Sequence, residues 1–236
     1  MMGMVEKARN RIATEGLAAF AGRIGGRVVR MPVMYTRMYL GGDARFTMGE
    51  VEYPYLVHKY NEAWRNERSV EVPIALSYAP RGKRVLEVGN VLNNYAPFPH
   101  DVVDKYEVAK GVINEDVVDY DPPHRYDLII SVSTLEHVGF DEKPRDPKKI
   151  LHAISNLRRL LTPNGLLVFT VPLGYNTYLD DLVATEREGF KDVRFLARVS
   201  EENDWSEVEF DAVRNARYGY PFNNANAIAV CEVGCK

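Results

Sequence analysis

The chain has 236 residues, 46% of them hydrophobic, enough for one sizeable core or for a core with an appendage. Thirty lysines and arginines stand against 33 aspartates and glutamates, and the resulting net charge of -3 gives no electrostatic reason to expect nucleic acid as a partner. The only two cysteines, Cys231 and Cys235, rule against a disulfide scaffold at this size. One CxxxC pair without nearby histidines is weak evidence for a metal, and the two read as a strand cysteine and a tail cysteine.

In chain order, the first notable stretch is "GLAAFAGRIGGRVVRMPVM" (16–34), interrupted by Arg23, Arg27 and Arg30. Its apolar part is short and a charged segment precedes it, which argues against a signal peptide. It is compatible with a basic amphipathic helix that meets a membrane or a partner. No apolar run reaches the roughly 18–20 residues of a membrane span, so a soluble, cytoplasmic protein is expected. Next, "EVEYPYLVHKYNEAWRNERSVEVPIALSYA" (50–79) reads as two helical stretches, the second capped by Ser69. Residues 1–80 are therefore expected to form a helical extension or cap, and residues 81–236 an α/β domain.

From residue 84 short apolar runs alternate with helical segments. "RVLEVG" (84–89), "DVVD" (101–104), "GVINEDVVDY" (111–120), "YDLIISVS" (126–133) and "GLLVFTVP" (165–172) read as strands, and "NAIAVCEVG" (226–234) as a final one. Between the fourth and fifth, Ile150, Leu151, Ile154, Leu157 and Leu161 recur at helical spacing, with Lys and Arg on the other side. Pro147 suits the first turn of that helix, and Thr162-Pro163-Asn164-Gly165 ends it. Strand–helix–strand units with buried strands imply a doubly wound, mostly parallel sheet covered on both faces.

In such sheets ligands sit outside the carboxyl ends of the strands, where strand order reverses. The first strand ends at Glu87 and Gly89, the second at Asp104, and the third offers Asp116 followed by Val117 and Val118. An acid at the distance of Asp104 can accept hydrogen bonds from ribose hydroxyls, and the two valines can flank a base. The place of Glu87 at a strand end beside Gly89 favours ligand binding, with a carboxylate satisfied by a loop amide as the alternative.

These segments, "VLEVGN", "VVDKYE", "INEDVVD", "YDLIISVSTLEHV" and "LLTPNGLLVFTVP", occur in the order that resembles the class I S-adenosylmethionine-dependent methyltransferase family. The resemblance covers roughly residues 84–172. It implies a seven-stranded Rossmann-like methyltransferase fold whose final strand is antiparallel, and S-adenosylmethionine as cofactor. The cofactor-binding residues it implies are Glu87, Gly89, Asn90, Asp104, Asp116, Val117 and Ser133. The family usually continues after the first strand with Gly-x-Gly; here Asn90, Val91, Leu92, Asn93, Asn94 and Tyr95 follow Gly89. Only one glycine permits close backbone approach, although asparagine tolerates positive φ and its amide can bond a carboxylate or an amine.

Histidine ionises near neutral pH, so His137, just past the fourth strand, is the first candidate for a catalytic base and Tyr175 the second. A helix-start contact between Glu136 and His137 is the plainer reading of the first. His137 and Asp141 alone are too few for a metal, and a Tyr55-x-x-x-Lys59 pair lies on the wrong side of the first strand for dehydrogenase chemistry. Trp205, Phe210, Tyr218, Tyr220 and Phe222 form either a lid or a secondary core. The expected acceptor is a small molecule, a sugar or other metabolite. A non-catalytic scaffold, or a binder of another nucleotide such as a nucleotide sugar, is the alternative that the glycine-poor loop leaves open.

Overall fold

The computed structural model describes residues 43–79, 84–185 and 189–235; the basic stretch 16–34 lies outside the described residues. Strands β1 (Arg45–Met48) and β2 (Val51–Pro54) form an antiparallel hairpin, followed by a 3-10 turn over Tyr60–Arg65 and helix α1 (Arg68–Tyr78). The sheet strands are β3 (Val85–Val88), β4 (Asp101–Val103), β5 (Val112–Ile113), β6 (Tyr126–Val132), β7 (Leu161–Pro172), β8 (Phe190–Arg198), β9 (Trp205–Val208) and β10 (Ala227–Gly234). Helices α2 (Lys149–Arg159), α3 (Thr177–Thr185) and α4 (Phe210–Val213) complete the described elements.

The eight strands lie in the order β5-β4-β3-β6-β7-β10-β8-β9. Strands β3 to β7 pair in parallel, and β10 runs antiparallel between β7 and β8. The mostly parallel, doubly wound sheet with an antiparallel final strand is thus present. It carries one strand more than expected, because the chain turns back after β8 and β9 pairs along its outer edge with Trp205 buried. Strand order reverses between β3 and β6, which makes a crevice at their carboxyl ends.

Why these residues form these layers follows from burial on both sides. Every residue of β3 is buried and six of the seven in β6 are, as a central parallel strand requires. On one face α2 buries Ile150, Ala153, Ile154 and Leu157 in a core with Leu86, Ile129, Leu167 and Phe169; Leu151 turns out to solvent. On the other face α1 sets Val72 and Ala75 against Val85, Leu128, Ile130 and Val168, while Val70 and Ile74 pack with Phe46, Tyr53 and Trp205. Burial of each large side chain contributes roughly 1.5–3 kcal/mol.

The described part of the N-terminal segment differs from two helices. Its first half holds the β1–β2 hairpin, since the alternating Phe46, Met48 and Tyr53 bury one face of a short ribbon. Ser69 does not cap α1 but lies inside it, buried, accepting a hydrogen bond from Asn203 Nδ2 at 2.7 Å. Asn66 performs the local turn instead, its Oδ1 accepting from the Arg68 amide at 3.0 Å. Pro73 sits mid-helix and lacks the N–H that would bond the Ser69 carbonyl; that carbonyl accepts from the Leu56 amide at 2.8 Å. The proline therefore fastens the segment before α1 to the sheet-covering helix.

Candidate functional site

The glycine-poor loop is organised from below. Glu87 is fully buried, and its Oε1 accepts from the amides of Val91 (2.8 Å) and Leu92 (2.7 Å), while Oε2 meets His100 Nε2 at 2.8 Å. Burial pulls the His100 ring down, but its bonds to Glu87 and the Phe98 carbonyl outweigh that and raise its pKa. Glu87 lines neither cavity described below; its hydrogen bonds hold the loop. Above it the asparagines knit the loop to itself: Asn93 donates to Asn90 Oδ1 (2.8 Å) and Asn94 to the Asn90 carbonyl (2.8 Å). Asn90 Nδ2 in turn reaches Glu107.

Gly89 has φ +87°, and a Cβ there would lie 2.3 Å from Thr134 Oγ1. A side chain is excluded both by the backbone conformation and by this close approach of the β3 and β6 loops. Two cavities of about 430 and 520 Å³ share Gly89, Asp104, Glu107 and Thr134 as walls. Both are of a size usual for small-molecule sites.

The first cavity opens over the ends of β3, β4 and β5, walled by Val88, Val103, Val117 and Val138 with Asp104 at its rim. Asp104 Oδ1 accepts from the amides of Tyr106 (2.8 Å) and Glu107 (2.7 Å), which fixes the carboxylate; Oδ2 has no partner among the described residues. Asp116 also lines this cavity, but its carboxylate is held by Lys105 (2.8 Å) and Lys149 (2.5 Å), both of which also hold Glu142. Burial pushes Asp116 up, and the two ammonium groups outweigh it and hold its carboxyl below the ordinary range.

His137 lines the same cavity and is half exposed. Its Nδ1 lies 2.5 Å from Asp141 Oδ2, which also accepts from Tyr175 Oη at 2.6 Å. Burial raises Asp141, but the bonds from Tyr175 and His137 outweigh it and keep the carboxylate ionised. An ionised carboxylate only accepts, so Nδ1 carries the hydrogen and Nε2 is the basic nitrogen in the neutral ring. The Tyr175 ring stands edge-on to His137 at 5.0 Å and to Tyr218 at 5.3 Å. Gly139, at φ +69°, ends the 3-10 turn of Leu135–His137 before any helix forms.

The second cavity is bounded by Tyr60, Asn61, Arg68, Asn94 and Tyr95. Arg68 pairs with the buried Glu71 through one guanidinium nitrogen, and Glu71 also accepts from Ser133 Oγ at 2.5 Å. Ser133 lines neither cavity; at φ +38° it turns its hydroxyl to α1 instead. Asn176 is buried as well, donating to the Glu136 carbonyl (2.9 Å) and accepting from the Leu179 amide (3.2 Å) at the start of α3. Of the aromatic group, Trp205 joins the secondary core, Phe210 packs on Phe195, and Tyr218 and Tyr220 are exposed. Tyr55 Oη accepts from the Trp205 amide at 2.8 Å, and Tyr55 lines neither cavity.

The structure thus gathers Gly89, Asp104, Asp116, Val117 and His137 around the first cavity, and places Asn90 on the second. Thr134, Glu107 and Arg68 were missed by sequence reasoning, and Asp141 was weighed only as a metal ligand with His137. Thr134 had a signal in its place right after the fourth strand; Arg68 had none, since only tertiary contact brings α1 to the loop.

No protein-family model matches the chain, and no curated protein matches it. Among solved structures it is similar to the N-methyltransferase NodS from Bradyrhizobium japonicum in complex with S-adenosyl-L-homocysteine, at 14% identity over 68% of this chain and 82% of that one, TM-score 0.44. It is also similar to a TehB-like SAM-dependent methyltransferase from Corynebacterium glutamicum, at 20% identity over 75% of this chain and 96% of that one, TM-score 0.39. A third is a SAM-dependent methyltransferase from Thermotoga maritima described as a possible histamine N-methyltransferase, at 14% identity over 69% and 86%, TM-score 0.41. On the order and direction of its own strands, the chain has the Rossmann-like fold of the class I S-adenosylmethionine-dependent methyltransferases.

Proposed function

We propose that this protein is a soluble, cytoplasmic enzyme that transfers a methyl group from S-adenosylmethionine to a small-molecule acceptor. The observation that carries the reading is the pair of cavities that share Gly89, Asp104, Glu107 and Thr134 as walls, with one carboxylate oxygen of Asp104 free of partners among the described residues. That geometry suits a nucleoside with a polar tail: Asp104 Oδ2 for ribose hydroxyls, Val117 and Val138 for the base, and Arg68, Asn90 and Asn94 for a carboxylate and amine. Asp116 borders the base through its lysine-held carboxylate, and Glu87 acts through the loop. When bound, the cofactor supplies a methyl carbon already activated by a sulfonium, so positioning can provide much of the acceleration.

An acceptor hydroxyl or ring N–H then needs a base. His137 Nε2 is that base, oriented by Asp141, and Tyr175 tightens Asp141 from the other side. The segment 43–79 contributes to the site through Tyr60 and Arg68 on the wall of the second cavity.

Calorimetric titration with S-adenosylmethionine and, separately, S-adenosylhomocysteine tests this. One-to-one micromolar binding that Asp104→Ala removes is the expected result; no heat from either ligand in a folded sample contradicts the reading.

A further inference from the structure

His100 stands immediately before β4 and reaches under the asparagine loop with a side chain that is 1% exposed. Both of its ring nitrogens face oxygen acceptors. Nδ1 lies 2.6 Å from the Phe98 carbonyl, and Nε2 lies 2.8 Å from Glu87 Oε2. A neutral imidazole carries one hydrogen and satisfies only one of these contacts. The other then sets two lone pairs against each other in a buried place, which is strongly destabilising. The geometry therefore requires one proton more than a neutral ring beside a carboxylate would hold.

The surroundings suit that extra proton. The Phe98 ring stacks on the imidazole, with centroids 4.1 Å apart and planes at 19°. The negative face of an aromatic ring favours a cationic partner over a neutral one. Pro97 and Pro99 flank Phe98 and restrict the backbone that brings the two rings together. The charged groups acting on the imidazole are Glu87 from β3 and Asp101 from β4, and both are acidic. Asp101 is itself met by His124 Nε2 at 3.2 Å and Tyr126 Oη at 3.0 Å.

Through Glu87 this proton bears on the ligand side. The other oxygen of Glu87 accepts from the Val91 and Leu92 amides, and Asn90, Val91, Asn94 and Tyr95 wall the second cavity. We propose that His100 is a positioning residue whose proton locks Glu87, and through it the loop 90–95, in the form that receives the polar tail of the cofactor; the proposal rests on the methyl-transfer reading. When the proton leaves, Nε2 donates nothing to Glu87 and the loop loses the base on which it is fixed. A histidine whose pKa is raised on folding contributes stability that is whole below the unfolded value of about 6.5 and is lost as pH rises through the folded one. Cofactor affinity takes the same direction. As the fraction of protein with a locked loop falls, the apparent Kd rises towards about tenfold per pH unit above the folded value.

The test has a ligand-free arm and a ligand arm. Nitrogen-15 NMR of the histidine-labelled wild type counts ring hydrogens, and those of His100 are recognised by slow exchange with water, since its side chain is buried. Two ring hydrogens are expected at about pH 6.5, one of them lost by about pH 9.5. Calorimetry with S-adenosylhomocysteine over the same range compares the wild type with His100→Gln, whose amide donates to Glu87 without titrating. The apparent Kd is expected to rise at least about tenfold more in the wild type, a difference from which titration of the ligand's own amine cancels. A ring with one hydrogen at the lower pH, a ring that keeps both at the higher pH, or parallel affinity profiles overturns the proposal. If S-adenosylhomocysteine binds neither protein, the methyl-transfer reading falls. The ring count still decides the clasp, together with urea unfolding at the two pH values, in which the wild type is expected to lose more stability than His100→Gln.

Discussion

The two ends of the candidate site are built by different means. At the nucleoside end, Val88, Gly89, Val103, Asp104 and Val117 sit at or just past the ends of adjacent parallel strands. Their positions follow from the sheet, and a short stretch of sequence suffices to place each one. At the other end, Arg68, Glu71 and Ser133 come from α1 and the β6 loop, 62 residues apart along the chain in the Ser133–Glu71 bond. Nothing local puts them together. The comparison teaches that a strand end is a local feature, whereas a pocket assembled from a covering helix depends on tertiary packing.

The most damaging way to break the first end is from underneath. Glu87→Ala leaves two loop amides and the buried His100 Nε2 unpaired, so a loss of about 3–5 kcal/mol is expected in urea unfolding. Gly89→Ala is next, at about 1–3 kcal/mol for the positive φ alone. Because the new Cβ meets the Thr134 side chain, a Gly89→Ala/Thr134→Ala double variant should recover part of the loss, a non-additivity visible in a double-mutant cycle. Asp104→Ala is expected to weaken S-adenosylhomocysteine roughly ten- to hundredfold in calorimetry, as the loss of hydrogen bonds to a charged group would give.

The smallest effect lies on the acceptor side, beside Tyr175, and has a defined sign. Asp180 holds the Gly174 amide, just before Tyr175, at 2.9 Å, and burial pushes its carboxyl up to about 6. A carboxyl raised on folding binds its proton more tightly in the native state, so its contribution is present at low pH and declines as pH rises from the unfolded value through about 6. Asp180→Asn should accordingly stabilise the protein at pH 7 by roughly 1–2 kcal/mol and make little difference near pH 4, in parallel melts at the two pH values.

Much of the fold was legible because β6 and the second half of β7 are long apolar runs, and α2 has a clean helical stripe. The hairpin β1–β2 was misread because four-residue strands offer too few alternations to separate them from a helical turn. Strand β9 was missed for the same reason. In the site, the places of Asp104 and Val117 on a cavity wall follow from strand ends, whereas the sequence does not say whether the Glu87 carboxylate points into a crevice or under a loop. His100 is what decides it, and its partnership with Glu87 spans a turn with no periodicity. Asp141 escaped notice as a partner for His137 because the pair was weighed only as metal ligands. Arg68 and Glu71 lay in a segment taken for a separate cap.

The central claim is that the two cavities, which share Gly89 and Thr134 as walls, hold one ligand. The most direct measurement is calorimetric titration with S-adenosylhomocysteine and 5′-methylthioadenosine side by side. If the asparagine loop and Arg68 engage the amino-acid tail, S-adenosylhomocysteine binds at least about tenfold more tightly, the equivalent of one good charged contact. Equal affinities would contradict the account, leaving a nucleoside cleft with an idle cavity beside it.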